Sequence, residues 1–498
     1  MSAPISVELQ VIGSALRAAA EEMGAVLIRS AFSSNIKERR DCSTAIFSAD
    51  GRMIAQAEHI PVHLGAMPEA VAAVMARDPQ PGEVWALNDP YTGGTHLPDI
   101  TLVSRTEVGF AVSRAHHADV GGMEPASLPA TSRELYQEGL IIPPTRLDDN
   151  VLELMLANMR NPSQRRGDLR AQLAAHRVAE ERIAELCRTK GRARVEAAMD
   201  ELYAYSERLM RAAIGRLPDG RYEAEDVLEP VDGQLVIRVA VTIAGDEVDI
   251  DFAGTSPQYD GNLNCPLAVC RSACYFVVRC LTEPDVPASG GAFAPVTVRA
   301  PEGCLVNASF PGAVVAGNTE TSSRITDAVF SAFAHAMPVA AQGQGTMNNT
   351  TYGTSAFAYY ETIGGGQGAS PNADGPSAVH VAMSNTYNTP AEALELAYPM
   401  RVERYSLRLG SGGAGRFRGG DGVIREIRVL APVRFSVLAD RRLTPPSGRD
   451  GGAPGACGRT LVNGEELPPK ATISLRAGDV VRVESPGGGG YGPPPAAA

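Results

Sequence analysis

The sequence predicts a mixed α/β and α+β protein of several domains: an N-terminal α/β part, a helical hairpin, and a β-rich C-terminal part. Three observations carry this. Leu9, Ile12, Leu16, Met23, Val26 and Leu27 recur at roughly helical spacing between Val7 and Phe32, the pattern of a long amphipathic helix. From Asp41 to Ala57 the chain alternates apolar and polar residues around Asp50-Gly51, a strong short-range hairpin signal. From Arg401 onward it reads as short strands rich in Gly. Its 498 residues suit about three domains. We place them at 1–217, 218–345 and 346–485, with 486–498 as a flexible Gly/Pro tail.

Glu21 and Glu22 lie within the first predicted helix and read as solvated face residues. Asp41 begins the first strand of the hairpin, and a strand end is a rigid mount for a ligand. His59 and His63 follow; either could line the site, with loop-to-core packing the reading their surroundings favour. Phe110 to Val120 reads as a strand. Asp148 to Leu217 is mostly helical and broken at Asn161-Pro162-Ser163, giving charge-laced helices over Arg165 to Arg192 and Arg194 to Leu217. These are a solvated hairpin or a partner-binding face, and His176 among them is not expected to be catalytic.

Near Pro218-Asp219-Gly220 the pattern changes to strands, with Leu235 to Ile243 and Glu247 to Phe252 alternating about Ala244-Gly245-Asp246. A helix over about Pro266 to Leu281 is apolar nearly all round and therefore expected to be buried. Gly364 to Gly368 lacks the strand and helix context of a dinucleotide site and reads as a tight structural loop. Asn348, Asn349, Glu361, Asn385 and Asn388 stand out as polar groups in small-residue text, suited to a substrate pocket or an interface.

Lys and Arg number 45 and Asp and Glu 57, a net charge of −12. Such a chain repels nucleic acid and anionic membrane, so neither is expected as a partner. Its only lysines are Lys37, Lys190 and Lys470, and no phosphate-loop motif can be built from them. If the reaction consumes ATP, the nucleotide is expected on another chain. Eight cysteines without a Cys-x-x-Cys pair read as buried hydrophobes of a reducing compartment. Met1 to Val7 shows no signal-peptide pattern, and no run approaches the roughly 18 apolar residues of a membrane span, so the expected location is cytoplasmic.

The chemistry concentrates between Trp85 and Gly122. There, Asn-Asp-Pro-Tyr-Thr-Gly-Gly-Thr-His-Leu-Pro-Asp (88 to 99) is followed by His-His-Ala-Asp-Val-Gly-Gly (116 to 122), placing three of the eight histidines beside Asp89, Asp99 and Asp119. Gly93-Gly94 allows a tight loop that brings side chains to one point. His96 and Asp99 can present imidazole and carboxylate to one borderline divalent ion, such as zinc, manganese or iron. Strand alternation sends His116 and His117 to opposite faces, so only one can join them.

These runs resemble the hydantoinase B/oxoprolinase family. So do Gly-Asn-Thr-Glu-Thr-Ser-Ser-Arg-Ile (317 to 325), Gln-Gly-Thr-Met-Asn-Asn (344 to 349) and Gly-Gly-Ala-Gly-Arg-Phe-Arg-Gly-Gly-Asp-Gly-Val (412 to 423), and the likeness extends over essentially the whole chain. The resemblance implies one metal ion held by Asp41, His96, Asp99 and His116, with His117 exchangeable. Asp119 and His117 are then candidates to orient a ligand or the attacking water from behind. It implies a subunit of a two-component, ATP-dependent cyclic amide hydrolase acting on a hydantoin, lactam or 5-oxoproline. A hydantoinase A-type ATP-binding partner phosphorylates the substrate, and this chain completes ring opening, the two forming a hetero-oligomer. The alternatives it leaves are a subunit of an acetone- or acetophenone-type carboxylase and a non-catalytic scaffold.

Overall fold

A computed structural model describes residues 6–57, 60–282 and 286–494; His59 lies outside them. Helix α1 (Val7–Ser30) starts at Ser6, whose hydroxyl accepts from Leu9 N at 3.1 Å, and it buries Leu9, Ile12, Leu16, Met23 and Leu27 along one stripe. A short α2 (Ser34–Lys37) leads into β1 (Cys42–Ser48) and β2 (Met53–Ala57), joined where Gly51 takes φ +82. Then come α3 (Ala66–Met75), β3 (Val84–Leu87), β4 (Asp99–Thr106), β5 (Gly109–His116) and β6 (Thr145–Arg146). The six strands form one sheet in the order β2-β1-β5-β4-β3-β6. The predicted strand to Val120 stops at His116, because residues 117–122 turn away through Gly121 and Gly122, both at positive φ.

After α4 (Asp149–Ala157), the predicted hairpin appears as α5 (Pro162–Lys190) and α6 (Arg192–Ile214). Asn161 in the left-handed region and Pro162 at the first helical position make the break. Helices α1, α5 and α6 cover one face of the sheet, burying Leu16, Met23, Ile46, Ala175 and Ile183 together. His176 is buried between Ser104 Oγ (2.7 Å) and Ser113 Oγ (2.9 Å), a structural position as expected.

A second sheet, β10-β9-β8-β7, is made by β7 (Gly220–Leu228), β8 (Leu235–Ala244), β9 (Glu247–Asp251) and β10 (Val296–Arg299), with only β9 and β10 parallel. The apolar helix α7 (Leu267–Cys280) and α8 (Ser322–Phe333) share a core with it. A turn of π-helix, Gly317–Thr321, precedes α8.

The remaining strands are β11 (Asn349–Gly353), β12 (Ala358–Glu361), then, after α9 (Ala391–Ala397), β13 (Met400–Arg408), β14 (Gly422–Val429), β15 (Val433–Leu438), β16 (Arg459–Val462), β17 (Glu465–Glu466), β18 (Lys470–Leu475) and β19 (Val480–Glu484). They form two antiparallel sheets, β12-β11-β15-β18 and β13-β14-β19-β16-β17. The fold is thus mixed α/β, with four mostly antiparallel sheets among the described residues.

The segment after Pro486 corrects the expectation of a flexible tail. Gly487 to Gly490 are buried, with Gly489 N donating to Gln342 O (2.8 Å) and Gly489 O accepting from Ala369 N (2.9 Å). A Cβ on Gly489 would collide with the Ser447 carbonyl. The glycines permit close passage of extended backbones rather than mobility. The 364–368 loop is tight for the same reason: Gly366 abuts Gly420 and Gly488. Residues 495–498 lie outside the described residues.

Candidate metal centre

The edge of the first sheet supplies the site. In the order β1-β5-β4, β5 ends at His116, β4 begins at Asp99, and Asp41 immediately precedes β1. Asp99 and His116 are direct cross-strand partners. On the other side Cys42 faces Ala115, and the Asp41 carbonyl accepts from His116 N at 3.0 Å. Antiparallel pairing therefore brings three positions distant in sequence to one place without any loop having to find another.

His96 arrives from the preceding loop. Asp89 caps the turn at Pro90–Thr92 through Tyr91 N, Gly93 takes φ +90, and Asn88 Nδ2 ties Leu97 O at 2.7 Å. The loop so fixed delivers His96 Nε2 to 3.1 Å from both Asp99 Oδ1 and His116 Nδ1, while His116 Nδ1 lies 3.0 Å from the same oxygen. Thr95 Oγ1 holds Asp99 Oδ2 at 2.5 Å. Ligand atoms of His96, Asp99 and His116 lie within 4.8 Å of one another, all buried. Two imidazoles and a carboxylate facing one small cavity fit a borderline divalent ion. Asp41 lines the same cavity, whose volume of about 20 Å³ has room for an ion or one water and not for a ring.

Burial raises the Asp41 carboxyl, and the nearby Asp99 charge adds to it against the opposing pull of His116. For Asp99 burial acts the same way, but His96 and the hydrogen bonds from His116 and His63 outweigh it and hold the group well below the ordinary carboxylate range. Burial would lower His96, yet Asp99 and Asp41 raise it on balance; His116 and His63 are lowered because burial prevails there.

The structure places His63 otherwise than its favoured packing role. Its Nε2 lies 3.5 Å from Asp99 Oδ2 and its Nδ1 is held by Ser43 Oγ at 2.9 Å, so it lines the cavity. Its loop position carried no spacing signal to show this. Asp119 corrects an expectation in the other direction. Its oxygens accept from Gly121 N, Ala126 N, Arg160 N and Arg160 Nη1, each at 2.9 Å, which clamps the 119–126 loop to Arg160 rather than orienting a ligand. His117 corrects the same expectation: its Nε2 lies 2.9 Å from Gln172 Oε1 and the residue does not line the cavity, so it orients no ligand there.

Tyr360, absent from the sequence reading, stacks on His116 (4.6 Å, 23°) and donates to Asn349 Oδ1 at 2.9 Å; Asn349 Nδ2 in turn donates to Glu320 Oε1 at 2.8 Å. Asn349 is thus a buried support behind the site. Glu361 is bound to Arg425, and Asn348 to Gln344 and Ile363 O. Asn318, on the π-helical turn, lines the cavity with an Oδ1 that has no partner. π-Helical turns are frequent at functional sites, but nothing in the amino-acid pattern announced this one.

A model of the hydantoinase B/oxoprolinase family matches residues 6–494. The chain belongs to that family. It is 40% identical to an uncharacterized protein of Methanocaldococcus jannaschii over 98% of this chain and 91% of that one. With 5-oxoprolinase 1 of Arabidopsis thaliana it shares 37% identity over 98% of its own length and 42% of the relative's, so it spans about two fifths of that protein. The crystal structure of an ATP-dependent caprolactamase from Pseudomonas jessenii superposes with a TM-score of 0.91 at 30% identity, covering 99% of this chain and 92% of that one.

Proposed function

We propose that this hydantoinase B/oxoprolinase member is the ring-opening component of an ATP-dependent cyclic amide hydrolase, working with a separate ATP-binding chain. The observation that carries the proposal is the convergence of Asp99, His116 and His96, with Asp41 beside them, at one sheet edge in a buried cavity. Kinship with 5-oxoprolinase and with a caprolactamase that is ATP-dependent supports the substrate class. A relative from Pseudomonas sp. named as the B subunit of a putative D-/L-hydantoinase, 33% identical over 99% of this chain and 90% of its own length, supports a separate partner.

In this reading Asp41, His96, Asp99 and His116 hold one zinc, manganese or iron ion, which supplies Lewis acidity and makes water a usable nucleophile near neutral pH. An unactivated amide resists water, and phosphorylation of its carbonyl oxygen by the partner gives an electrophilic imidate. Water adds to the imidate carbon and the ring C–N bond breaks, both protons of that water passing to the nitrogen, which leaves as the free amine. A second water releases phosphate from the acyl phosphate that remains. The unpartnered Oδ1 of Asn318 lines the same cavity and would accept a hydrogen bond from the attacking water. Tyr360 keeps the His116 ring in plane. The test is elemental analysis of the purified chain, followed by assay with the ATP-binding partner. About one divalent ion per chain and ring opening only in the mixture are expected; full activity from a chain that cannot be loaded with any of the three metals would overturn the reading.

A further inference from the structure

A second cavity, far larger than the metal site, opens beside the edge strand β2. Its volume is about 1010 Å³, at the upper end of the range of small-molecule sites. Ile54, Ala55, Gln56 and Ala57 all line it. Successive strand side chains point to opposite faces, so four in a row can border one space only along the strand's outer edge, and β2 is the terminal strand of its sheet. Helix α1 forms one wall and the end of α7 with residues 286–288 another.

The charge of this cleft runs against that of the protein. Among the described residues, Arg17, Arg29, Arg40 and Arg279 line it with Glu21 as the one acidic residue, in a chain of net charge −12. Among the described residues none of these arginines has a carboxylate partner; Arg40 lies over the Tyr387 ring at 4.7 Å. Most other arginines of the fold are paired, as Arg182 with Glu22 and Arg425 with Glu361 show. Two groups at the cleft are also buried without partners. Gln56, 5% exposed, has neither its Oε1 nor its Nε2 bonded, and Arg279 Nη1 is likewise unmet. Leaving buried polar atoms unsatisfied is unfavourable, and a ligand at these atoms would remove that cost.

We propose that this cleft binds an elongated small molecule with an aliphatic body and at least one carboxylate or phosphate group. Arg17 and Arg29 stand twelve residues apart on α1, about 18 Å along the helix, so the cations are spread along the cleft rather than gathered at one point. Leu9, Ile28 and Ile54 provide aliphatic wall between them, and no aromatic ring lines the cleft among the described residues, so it offers a nucleobase nothing to stack on. The oxyanion meets guanidinium groups, whose planar fork suits carboxylate and phosphate alike, and Gln56 Nε2 supplies a further donor.

The test is calorimetric titration of the full chain with adipate and, separately, with glycerol 3-phosphate, which tells a carboxylate from a phosphate source. Saturable binding of either is expected, weakened at least about tenfold by Arg279→Gln and by Gln56→Leu, each removing a buried bond to an anion. Asp99→Asn should bind the same probe as the parent does, which places the site apart from the metal centre, and Arg182→Gln serves as a remote surface control. Thermal unfolding of each variant verifies that it is folded; if Gln56→Leu is not, Arg17→Gln replaces it. Absence of saturable binding of both probes overturns the proposal. So does equal affinity in parent and arginine variants, or loss in Asp99→Asn alone. Arginine variants that bind no less probe but lose the partner chain would make the cleft a docking surface instead.

Discussion

Asp99 and His116 face each other across the β4–β5 ladder, and one carboxylate oxygen, Oδ1, lies 3.0 Å from His116 Nδ1 and 3.1 Å from His96 Nε2. A single oxygen thus gathers two imidazoles, and Thr95 and His63 occupy the other side of the same carboxylate. Asp99→Asn should therefore do more than remove one ligand: it weakens the charge that orients His96 and His116. We expect metal content to fall well below one ion per chain in Asp99→Asn and His96→Ala. His117→Gln, directed at Gln172, should retain it. Inductively coupled plasma analysis of the three variants decides, and full occupancy in His96→Ala would remove that residue from the ligand set.

The buried pair Glu361–Arg425, joined at 3.0 and 3.1 Å, predicts a stability effect away from the chemistry. Both side chains are almost fully buried, and Arg425 holds the Glu361 carboxyl below its ordinary range against the effect of burial. Arg425→Met leaves a carboxylate without its counter-ion and should cost about 3–5 kcal/mol. The double variant Arg425→Met with Glu361→Met should recover most of that. Denaturant unfolding of the two proteins measures it; a double variant no better than the single one would mean packing, not charge, sets the cost.

His176 gives the fold an acid sensitivity of known sign. Burial between Ser104 and Ser113 depresses its pKa to about 3, against 6.5 ordinarily. Between those values the unfolded chain binds a proton that the native chain does not, so this contribution is complete above about 6.5 and is lost as pH falls toward 3. The full difference corresponds to about 4–5 kcal/mol. His176→Gln, which can bond both serines without titrating, should lose less stability than the parent between pH 6.5 and 4 in urea melts. Parallel pH profiles would sink the assignment.

Much of this was legible in the chain because local physics specified it. The stripe of α1, the Asp50-Gly51 turn and the Asn161-Pro162 break each carry their own signal, and strand alternation separated His116 from His117 before any coordinates. The loop glycines at 93 and 94 likewise pointed to a turn that concentrates His96 and Asp99. Contacts made by tertiary packing were another matter. His63 sits in a loop with no periodicity, Asn318 on a π-helical turn that no residue pattern marks, and Tyr360 on a strand some 240 residues from the histidine it stacks against. Asp119 looked like a ligand helper by proximity in sequence, yet the reversal at Gly121 and Gly122 carries it toward Arg160. The terminal glycines misled for a different reason: composition does not tell a mobile tail from backbones packed too closely for a Cβ.

The two chemistries left open by the resemblance differ in what they consume, and the reconstituted pair of chains distinguishes them. If ring opening is the reaction, hydantoin, 5-oxoproline or caprolactam should give open product and phosphate without bicarbonate, and the isolated chain should turn over neither ATP nor lactam. His116→Ala removes a group bonded to Asp99 and should abolish ring opening, while phosphorylation by the partner can continue and release ADP without open product. His117→Gln preserves a partner for Gln172 on the far face of the strand and should keep most of the activity. A strict bicarbonate requirement with a carboxylated product would transfer the assignment to a carboxylase. Equal loss from the two histidine changes would mean that the end of β5, and not the orientation of one imidazole toward Asp99, is what the reaction needs.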